Sequence, residues 1–250
     1  MVNGGWLRAL QALFAGWVML SATMAAELEE KVIDGVAYRI LRAAPSEVRI
    51  LWKGDDDQPL RTFPAAAAYL EERDLKPAFL MNGGIFEPGG VPSGLLVQDG
   101  KTAHPVNRRD GRGNFFLKPN GILLIGKTQA RVIRTDEYPV ADFEVRDAVQ
   151  SGPLLLRNGK PHPAFNADSN NRLHRNGVGV DAEGRLVFVI TEFRSPKMPN
   201  LHGFAMLFKS LDCDDALFLD GDISQLRPAE QLDRPSNRFG TIIAVVPAEE

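Results

Sequence analysis

Four short segments of the sequence place polar side chains beside glycine, at or next to an apolar run. They are Asn82-Gly83-Gly84, Ser151-Gly152-Pro153, Asn170 to Gly179, and Asp220 to Ser224. Glycine removes the side chain that would hold a ligand away from the backbone, so N–H groups and neighbouring polar side chains can approach that ligand closely. These residue types indicate a site that binds an anion and transfers a proton.

Asp220 is the main candidate for the proton transfer. It follows the fully apolar run Ala216 to Leu219, which is typical of a strand buried on both faces. Its carboxylate should therefore emerge at a partly desolvated edge, where it can act as a general acid or base. Asp-Gly also begins ordinary turns, and Asp220-Gly221-Asp222 resembles the start of a calcium loop whose other acidic ligands are missing. We expect no metal ligands and no cofactor, with a divalent cation left open.

Arg175 and Glu192 are the other candidate catalytic residues. An arginine can bind phosphate through two parallel hydrogen bonds, and Arg175 lies just before the predicted strand Val178 to Val180, although a solvated loop would explain its polar segment too. Glu192 follows the apolar run Leu186 to Ile190 and could supply a second carboxylate.

The candidate substrate-binding residues come from the same segments. The amides of Gly83 and Gly84 would form an anion-binding nest to which Asn82 adds its side chain, or the segment is a plain hairpin turn. Ser151 could bond a ligand oxygen, although a turn before a strand explains Ser-Gly-Pro equally well, and no catalytic-triad context accompanies it. The full set is Asn82, Gly83, Gly84, Ser151, Gly152, His174, Asn176, Gly221 and Ser224.

The composition excludes several classes of function. With 29 basic and 32 acidic residues and a net charge of -3, the chain lacks the basic surface of a nucleic-acid-binding protein. Its four histidines show no zinc-ligand spacing, and its one cysteine, Cys213, cannot form a pair and is expected to be a buried small hydrophobe. An anionic substrate must therefore be held by a few placed groups.

Short β-rich runs dominate the rest of the chain and must position these groups. Strands are predicted at Val48 to Trp52, Phe79 to Met81, Leu95 to Val97, Phe115 to Leu117, Ile122 to Ile125, Leu154 to Leu156, Val178 to Val180, Leu186 to Ile190, Ala216 to Leu219 and Ile242 to Val246. Hairpin turns are predicted at Asp99-Gly100, Asn120-Gly121, Asn158-Gly159 and Glu183-Gly184. Helices are predicted at Pro64 to Arg73 and His202 to Leu211. The fold class is α+β, a strand-dominated mixed or antiparallel sheet with helices packed on it.

Residues 1–26 have the pattern of a secretory signal peptide. Arg8 provides a basic n-region, Leu10 to Ala22 an apolar h-region, and Ala25-Ala26 small residues for cleavage. An uncleaved anchor is the alternative, but the apolar stretch is shorter than the roughly 20 residues that a spanning helix needs. We expect a periplasmic or secreted protein with no stable membrane insertion after cleavage, in which residues 27–250 form a single domain.

In this order, the four segments resemble the phosphodiester glycosidase family, which includes the lysosomal uncovering enzyme that removes N-acetylglucosamine from mannose phosphate. The family pattern falls on Asn82-Gly83-Gly84 with Phe86, Ser151-Gly152-Pro153, Arg175 with Gly179, and Leu219-Asp220-Gly221. The uncovering enzyme continues Asp-Gly-Gly-Gly-Ser, whereas this chain has Asp220-Gly221-Asp222-Ile223-Ser224 and is similar to a bacterial subgroup with Asp-Gly-x-Ile-Ser. The resemblance implies the reaction class and not the mannose-phosphate substrate.

The resulting hypothesis is an exported hydrolase that cleaves a sugar phosphodiester in a cell-envelope or extracellular glycan. Arg175 and the amides of Gly83 and Gly84 would hold the phosphodiester, and Asp220 would handle the proton of water or of the leaving group. The alternative is a non-catalytic envelope module that binds a glycan or a phosphate-bearing polymer, since function belongs to the site rather than to the fold.

Overall fold

The structure, a computed structural model, describes residues 26–247. The predicted signal peptide therefore lies, apart from Ala26, outside the described residues. Across residues 26–247 no helix is long and apolar enough to cross a membrane.

The described chain is built mainly from short strands. In order they are β1 (Glu27–Ile33), β2 (Val36–Ala43), β3 (Val48–Leu51), β4 (Phe79–Asn82), β5 (Phe86–Glu87), β6 (Val91–Pro92), β7 (Leu96–Gln98), β8 (Lys101–His104), β9 (Gly121–Ile125), β10 (Ala130–Arg134), β11 (Asp147–Ser151), β12 (Leu154–Arg157), β13 (Lys160–Pro161), β14 (Asn176–Val180), β15 (Leu186–Thr191), β16 (Asp215–Asp220), β17 (Leu226–Pro228) and β18 (Ile242–Val245). The α-helices are α1 (Phe63–Glu71) and α2 (Leu201–Ser210).

These strands form three main sheets. The seven-stranded sheet has the order β1-β2-β15-β14-β16-β12-β13, the five-stranded sheet β10-β9-β11-β7-β8, and the four-stranded sheet β17-β4-β18-β3. All strand pairs in the described chain are antiparallel. A strand-dominated antiparallel architecture is thereby confirmed, and with two α-helices in residues 26–247 the fold is mostly β.

The core lies where the three sheets face one another. Phe188 and Leu217 from the seven-stranded sheet, Ile243 from the four-stranded sheet and Leu123 from the five-stranded sheet belong to one buried cluster. Helix α2 covers the opposite face of the seven-stranded sheet through Phe204 and related side chains, while α1 packs on the four-stranded sheet. The sheets thus bring β4, β11, β14 and β16, which carry the candidate residues, around one interior.

Both predicted helices are present because their capping residues are encoded locally. The hydroxyl of Thr62 accepts the Ala65 N–H at the start of α1, and the Asn200 side chain accepts the Gly203 N–H at 2.7 Å at the start of α2. Side chains of this type satisfy N–H groups that the first helical turn leaves unpaired.

Most predicted strands are found, but two local predictions are wrong. Phe115 to Leu117 is not a strand, since Asn114–Phe116 forms a 3₁₀ turn whose Phe115 carbonyl accepts the Asn120 side chain at 2.8 Å. Asn120-Gly121 is not a hairpin turn, because Gly121 begins β9 and pairs with Arg134 and Ser151 on either side. Hairpins at Asp99-Gly100 and Asn158-Gly159 form as predicted, with the positive φ angles that tight turns require.

Gly179 allows α2 and the turn after it to approach β14. A Cβ atom at this position would lie 2.8 Å from Cys213 Sγ and 2.9 Å from Phe208 Cδ1. The glycine therefore serves internal packing, not the approach of a ligand that the sequence suggested. Cys213 itself is buried, and burial raises the pKa of its thiol to about 12, as suits a small hydrophobe rather than a nucleophile.

We expect Gly179→Ala to lower the free energy of unfolding by about 1–3 kcal/mol through overpacking. Urea denaturation measures this change. Cys213→Ala removes the nearest atom, so the double variant should be less destabilised than the sum of the two single variants. Full additivity would mean that positions 179 and 213 do not interact sterically.

Candidate active site

Asp220 is the last residue of β16, at a point where the strand pairing is irregular. It lies opposite Asn176, whereas the next residue of β14, Gly177, lies opposite Phe218. Leu219 is therefore an extra residue in β16, and such a bulge redirects the side chains that follow it. The bulge places the Asp220 carboxylate where the seven-stranded sheet meets the end of β4.

Asn82, at the end of β4, holds this carboxylate from the neighbouring sheet. Its Nδ2 donates to Asp220 Oδ2 at 3.1 Å and to Ser224 Oγ at 3.4 Å. The orientation of the amide is fixed because Asn82 Oδ1 accepts the Gln225 N–H at 2.9 Å and the Asn176 side chain at 3.2 Å. Four candidate residues, Asn82, Asn176, Asp220 and Ser224, thus form one hydrogen-bonded cluster.

Burial raises the pKa of Asp220 to about 6. The Gly221 N–H, 2.7 Å from Asp220 Oδ1, and the Asn82 amide both favour the ionised form, whereas the nearby Asp222 disfavours it. Loss of water outweighs the two hydrogen bonds. A carboxyl group that titrates near pH 6 can exchange a proton with a substrate near neutral pH.

Arg175 directly precedes Asn176 of this cluster in the chain and is 2 % exposed. Its Nη2 donates to the Asn171 carbonyl at 3.2 Å, its Nε has no hydrogen-bond partner, and the guanidinium carbon lies 5.8 Å from the centre of the Phe218 ring. Burial lowers the pKa of Arg175, and the charge of Asp222 partly offsets this effect. Within residues 26–247 Arg175 forms no salt bridge with a carboxylate, so this buried positive charge is neutralised only in part.

His174 supports the loop that follows Asp220. Its Nδ1 lies 3.1 Å from the Gly221 carbonyl oxygen, and its ring is 6 % exposed. The Ser224 N–H donates to the same carbonyl at 2.9 Å. His174 and Gly221 thereby join the cluster as residues that fix the loop.

The structure corrects the hypothesis of an anion nest at Gly83. The Gly83 N–H donates to the Thr241 carbonyl at 2.9 Å, and a Cβ atom on Gly83 would collide with Thr241 Oγ1. At Gly84 a Cβ atom would lie 2.9 Å from Val149 Cγ2. Both glycines are needed for close packing between strands, and the Gly83 amide is taken up by the backbone.

Ser151 and Gly152 also serve packing. Ser151 is completely buried, donates to the Leu219 carbonyl at 3.1 Å and accepts the Ile85 N–H at 3.4 Å, so it ties β11 to β16. A Cβ atom on Gly152 would lie 2.7 Å from Asn120 Cβ. Ser151 thus holds the residue before Asp220, and Gly152 allows close packing against Asn120.

Glu192 is not brought to Asp220. Its carboxylate lies 3.3 Å from Arg39 Nε, and its backbone N–H donates to the Ala37 carbonyl, both on β2. In the sheet order β15 is separated from β16 by β14, so their backbones lie about 10 Å apart. The structure therefore does not support Glu192 as a partner of Asp220, because Arg39 already neutralises it.

Sequence reasoning missed two neighbours of the site. Asp222 was noted as part of a possible calcium loop and as a departure from a family pattern, but its charge acts on both Asp220 and Arg175. Gln225 was not noted at all, since its contribution is a backbone N–H. The signal for Asp222 was its spacing from Asp220, whereas no side-chain pattern could have revealed Gln225.

Clefts are found elsewhere on the protein. Two of about 640 and 1050 Å³ are lined by residues that include Arg108 and Arg172 respectively, and neither lining includes Asp220, Arg175 or Asn82. In the described part of the chain no group of three or more histidine, cysteine or carboxylate side chains is arranged to hold a metal ion. The site is therefore distinguished by a carboxylate of raised pKa, Asp220, and by a buried, incompletely neutralised arginine, Arg175, at the residue before Asn176.

Fold and site together define an antiparallel β protein with a partly buried carboxylate of raised pKa. Residues 76–239 match the model of the family described as phosphodiester glycosidase (NAGPA), and the chain belongs to this family. The resemblance seen in the sequence is thereby confirmed.

Among curated proteins, the uncharacterized protein YigE of Escherichia coli (strain K12) is 30 % identical over 200 residues, which cover 80 % of this chain and 76 % of that protein. The fold is similar to the catalytic domain of zebrafish N-acetylglucosamine-1-phosphodiester alpha-N-acetylglucosaminidase auto-inhibited by its pro-peptide, with a TM-score of 0.63, 17 % identity and coverage of 90 % of this chain and 84 % of that one. It is also similar to a hypothetical protein from Synechocystis, with a TM-score of 0.55, 16 % identity and coverage of 89 % and 62 %. At these identities the two structures show the fold alone.

We expect Asn82→Ala and Asp222→Asn to shift the pKa of Asp220 in opposite directions. The first removes a hydrogen bond to the ionised carboxylate and should raise the pKa above 6, whereas the second removes a like charge and should lower it. Carboxyl ¹³C chemical shifts measured against pH would follow both changes. Equal shifts of the same sign would mean that a general structural change, not these contacts, sets the pKa.

Proposed function

We propose that this protein is an exported hydrolase that cleaves the bond between a sugar and the phosphate of a glycosyl phosphodiester. Family membership supports the reaction class. The observation that carries the proposal is the raised pKa of Asp220, about 6, in its hydrogen-bonded cluster with Asn82. The buried Arg175, which directly precedes Asn176 of that cluster, has no carboxylate partner within residues 26–247. Export rests on the sequence pattern of residues 1–26.

The phosphodiester is bound through Arg175. A buried cation costs free energy unless an anion or several hydrogen bonds compensate it, and Arg175 has one side-chain hydrogen bond in the described chain. A phosphodiester supplies a single negative charge and two unesterified oxygens, which match the planar donor array of a guanidinium. The exposed Asp222 nearby limits the positive potential and so favours a singly charged diester over a more highly charged phosphate.

Asp220 acts as the general base. With a pKa of about 6 it is mostly ionised at neutral pH, yet it is a stronger base than an ordinary carboxylate. The water oxygen forms a bond to the anomeric carbon, Asp220 accepts the water proton, and the bond between that carbon and the phosphate oxygen breaks with its electron pair on oxygen. The leaving phosphate monoester has a second pKa of about 6, so it departs as an anion without needing a strong acid.

The loop after Asp220 bears on which sugar is bound. The loop after Asp220 carries Asp222 and the bulky Ile223, so a ligand cannot lie against the backbone there as it could against glycines. The substrate named for the zebrafish protein is therefore not transferred to this chain. We propose a sugar phosphodiester from a cell-envelope or extracellular glycan, recognised by groups specific to this subgroup.

A non-catalytic module that binds an envelope glycan is the rival function. It would need no titrating carboxylate, and an ordinary pKa would have favoured it. A pKa raised to about 6 by burial supports the enzyme, because perturbed pKa values concentrate at catalytic sites.

We expect Asp220→Asn to reduce kcat on a sugar-1-phosphodiester by roughly 100-fold to 10,000-fold, since it removes a general base. The control is Asp233→Asn, which changes an exposed aspartate outside the cluster and should leave kcat unchanged. Released sugar and phosphate are measured by mass spectrometry on a panel of such diesters. Full activity of the Asp220 variant would exclude the proposed role.

The pH dependence of kcat/KM distinguishes a general base from a general acid at Asp220. A base must be deprotonated, so kcat/KM should rise as pH increases through about 6 and level off near neutrality. A general acid would give the opposite limb, with kcat/KM falling above pH 6. The limb should be absent from the residual activity of the Asp220→Asn variant.

A further inference from the structure

Phe193 is the most exposed large apolar side chain in residues 26–247. Its exposed fraction is 76 %, and the others are Val32, Val91, Leu173 and Met206. Single exposed apolar residues are common on protein surfaces and by themselves indicate nothing. The position of Phe193 relative to the site is what distinguishes it.

Phe193 contacts a residue of the Asp220 site. Its ring meets His174 edge to face, with 6.0 Å between ring centres and an interplanar angle of 68°. The same His174 contacts the Gly221 carbonyl through Nδ1, and Gly221 follows Asp220 directly. Leu173, which is 43 % exposed, precedes His174 in the chain. Phe193 contacts, and Leu173 directly precedes, the histidine that supports the loop after Asp220, and we call these two exposed residues the rim pair.

The exposure of Phe193 is imposed by an anchored turn. On one side, Glu192 is fixed to β2 through the Ala37 carbonyl and Arg39. On the other side, Ser195 N–H donates to the Glu192 carbonyl at 3.0 Å, and Ser195 Oγ accepts the Ala37 N–H at 2.8 Å. The backbone around Phe193 is thus tied down on both sides while the phenyl ring projects outward.

Arg175 and the rim pair differ in chemical character. Arg175 supplies positive charge for the phosphate, whereas the rim pair presents only carbon. The face of a phenyl ring carries partial negative charge, which repels a phosphate and attracts the weakly positive C–H groups of a pyranose ring. The rim pair therefore suits the sugar better than the anion.

We infer that Phe193, with Leu173, forms a subsite that binds the apolar C–H face of the pyranose ring whose bond is cleaved at Asp220. This inference rests on the proposed function and names the group that positions the sugar. Phe193 is a specificity-determining residue and takes no part in the proton transfer.

The test compares Phe193→Ala and Phe193→Trp with the parent protein on sugar-1-phosphodiesters. Loss of the aromatic face should raise KM about 3-fold to 10-fold with kcat within about 2-fold, and tryptophan should restore the parent KM. Val32→Ala is the matched control, because Val32 is 69 % exposed on β1 and lies outside the cluster. An unchanged KM in Phe193→Ala would overturn the inference.

Two further comparisons separate the possible failures. Diesters with one sugar and different aglycones should show the same rise in KM, and a rise confined to apolar aglycones would assign Phe193 to the aglycone instead. If the parent shows no turnover, the proposed function fails, and the dissociation constants of sugar-1-phosphates, measured by calorimetry, decide the subsite: weaker binding by Phe193→Ala supports it and equal binding contradicts it. Turnover that depends on Asp220 but not on Phe193 would support the proposed function and contradict the sugar subsite.

Discussion

The contact between Asn82 and Asp220 joins two sheets at a carboxylate that has lost most of its water. The amide belongs to the four-stranded sheet and the carboxylate to the seven-stranded sheet. The Asn176 side chain on β14 and the Gln225 N–H just before β17 fix the orientation of the amide. A carboxylate held in this way is partly withdrawn from solvent, and burial raises its pKa to about 6 despite two hydrogen bonds. The raised pKa of Asp220 therefore depends on the packing of the sheets that surround it.

The glycines and the serine that recur in the family pattern maintain this packing. Gly83 and Gly84 allow β4 to run against Thr241 and Val149, and Ser151 ties β11 to the carbonyl before Asp220. Larger side chains at these positions would separate the strands and admit water to the carboxylate. The sequence pattern thus describes how the site is positioned as much as what touches a ligand.

Much of the fold could be predicted because its signals are local. The Thr62 and Asn200 caps, the Asp99-Gly100 turn and the apolar run before Asp220 lie within a few residues of what they determine. The run Phe115 to Leu117 shows the limit, since two adjacent aromatic residues favour a strand while the Asn120 side chain stabilises a turn there. The hairpin of β1 and β2 at Asp34-Gly35 was missed although its turn signal is equally local.

The sequence predicted candidate residues for the site but not their contacts. Asp220, Asn82, Arg175, His174, Asn176 and Ser224 come together, yet the sequence could not show that Arg39 of β2 neutralises Glu192 or that Thr241 accepts the Gly83 N–H. Such contacts join residues far apart in the chain, and strand pairing alone decides them. Phe193 likewise acquires its significance only from its contact with His174.

Hydrolysis of a sugar-1-phosphodiester in ¹⁸O-labelled water tests the proposed reaction most directly. Attack of water on the anomeric carbon, with Asp220 as the base, predicts that the label appears in the released sugar and is absent from the phosphate product. Label in the phosphate would show that the P–O bond is cleaved, and the assignment of a glycosidase mechanism to this site would be contradicted.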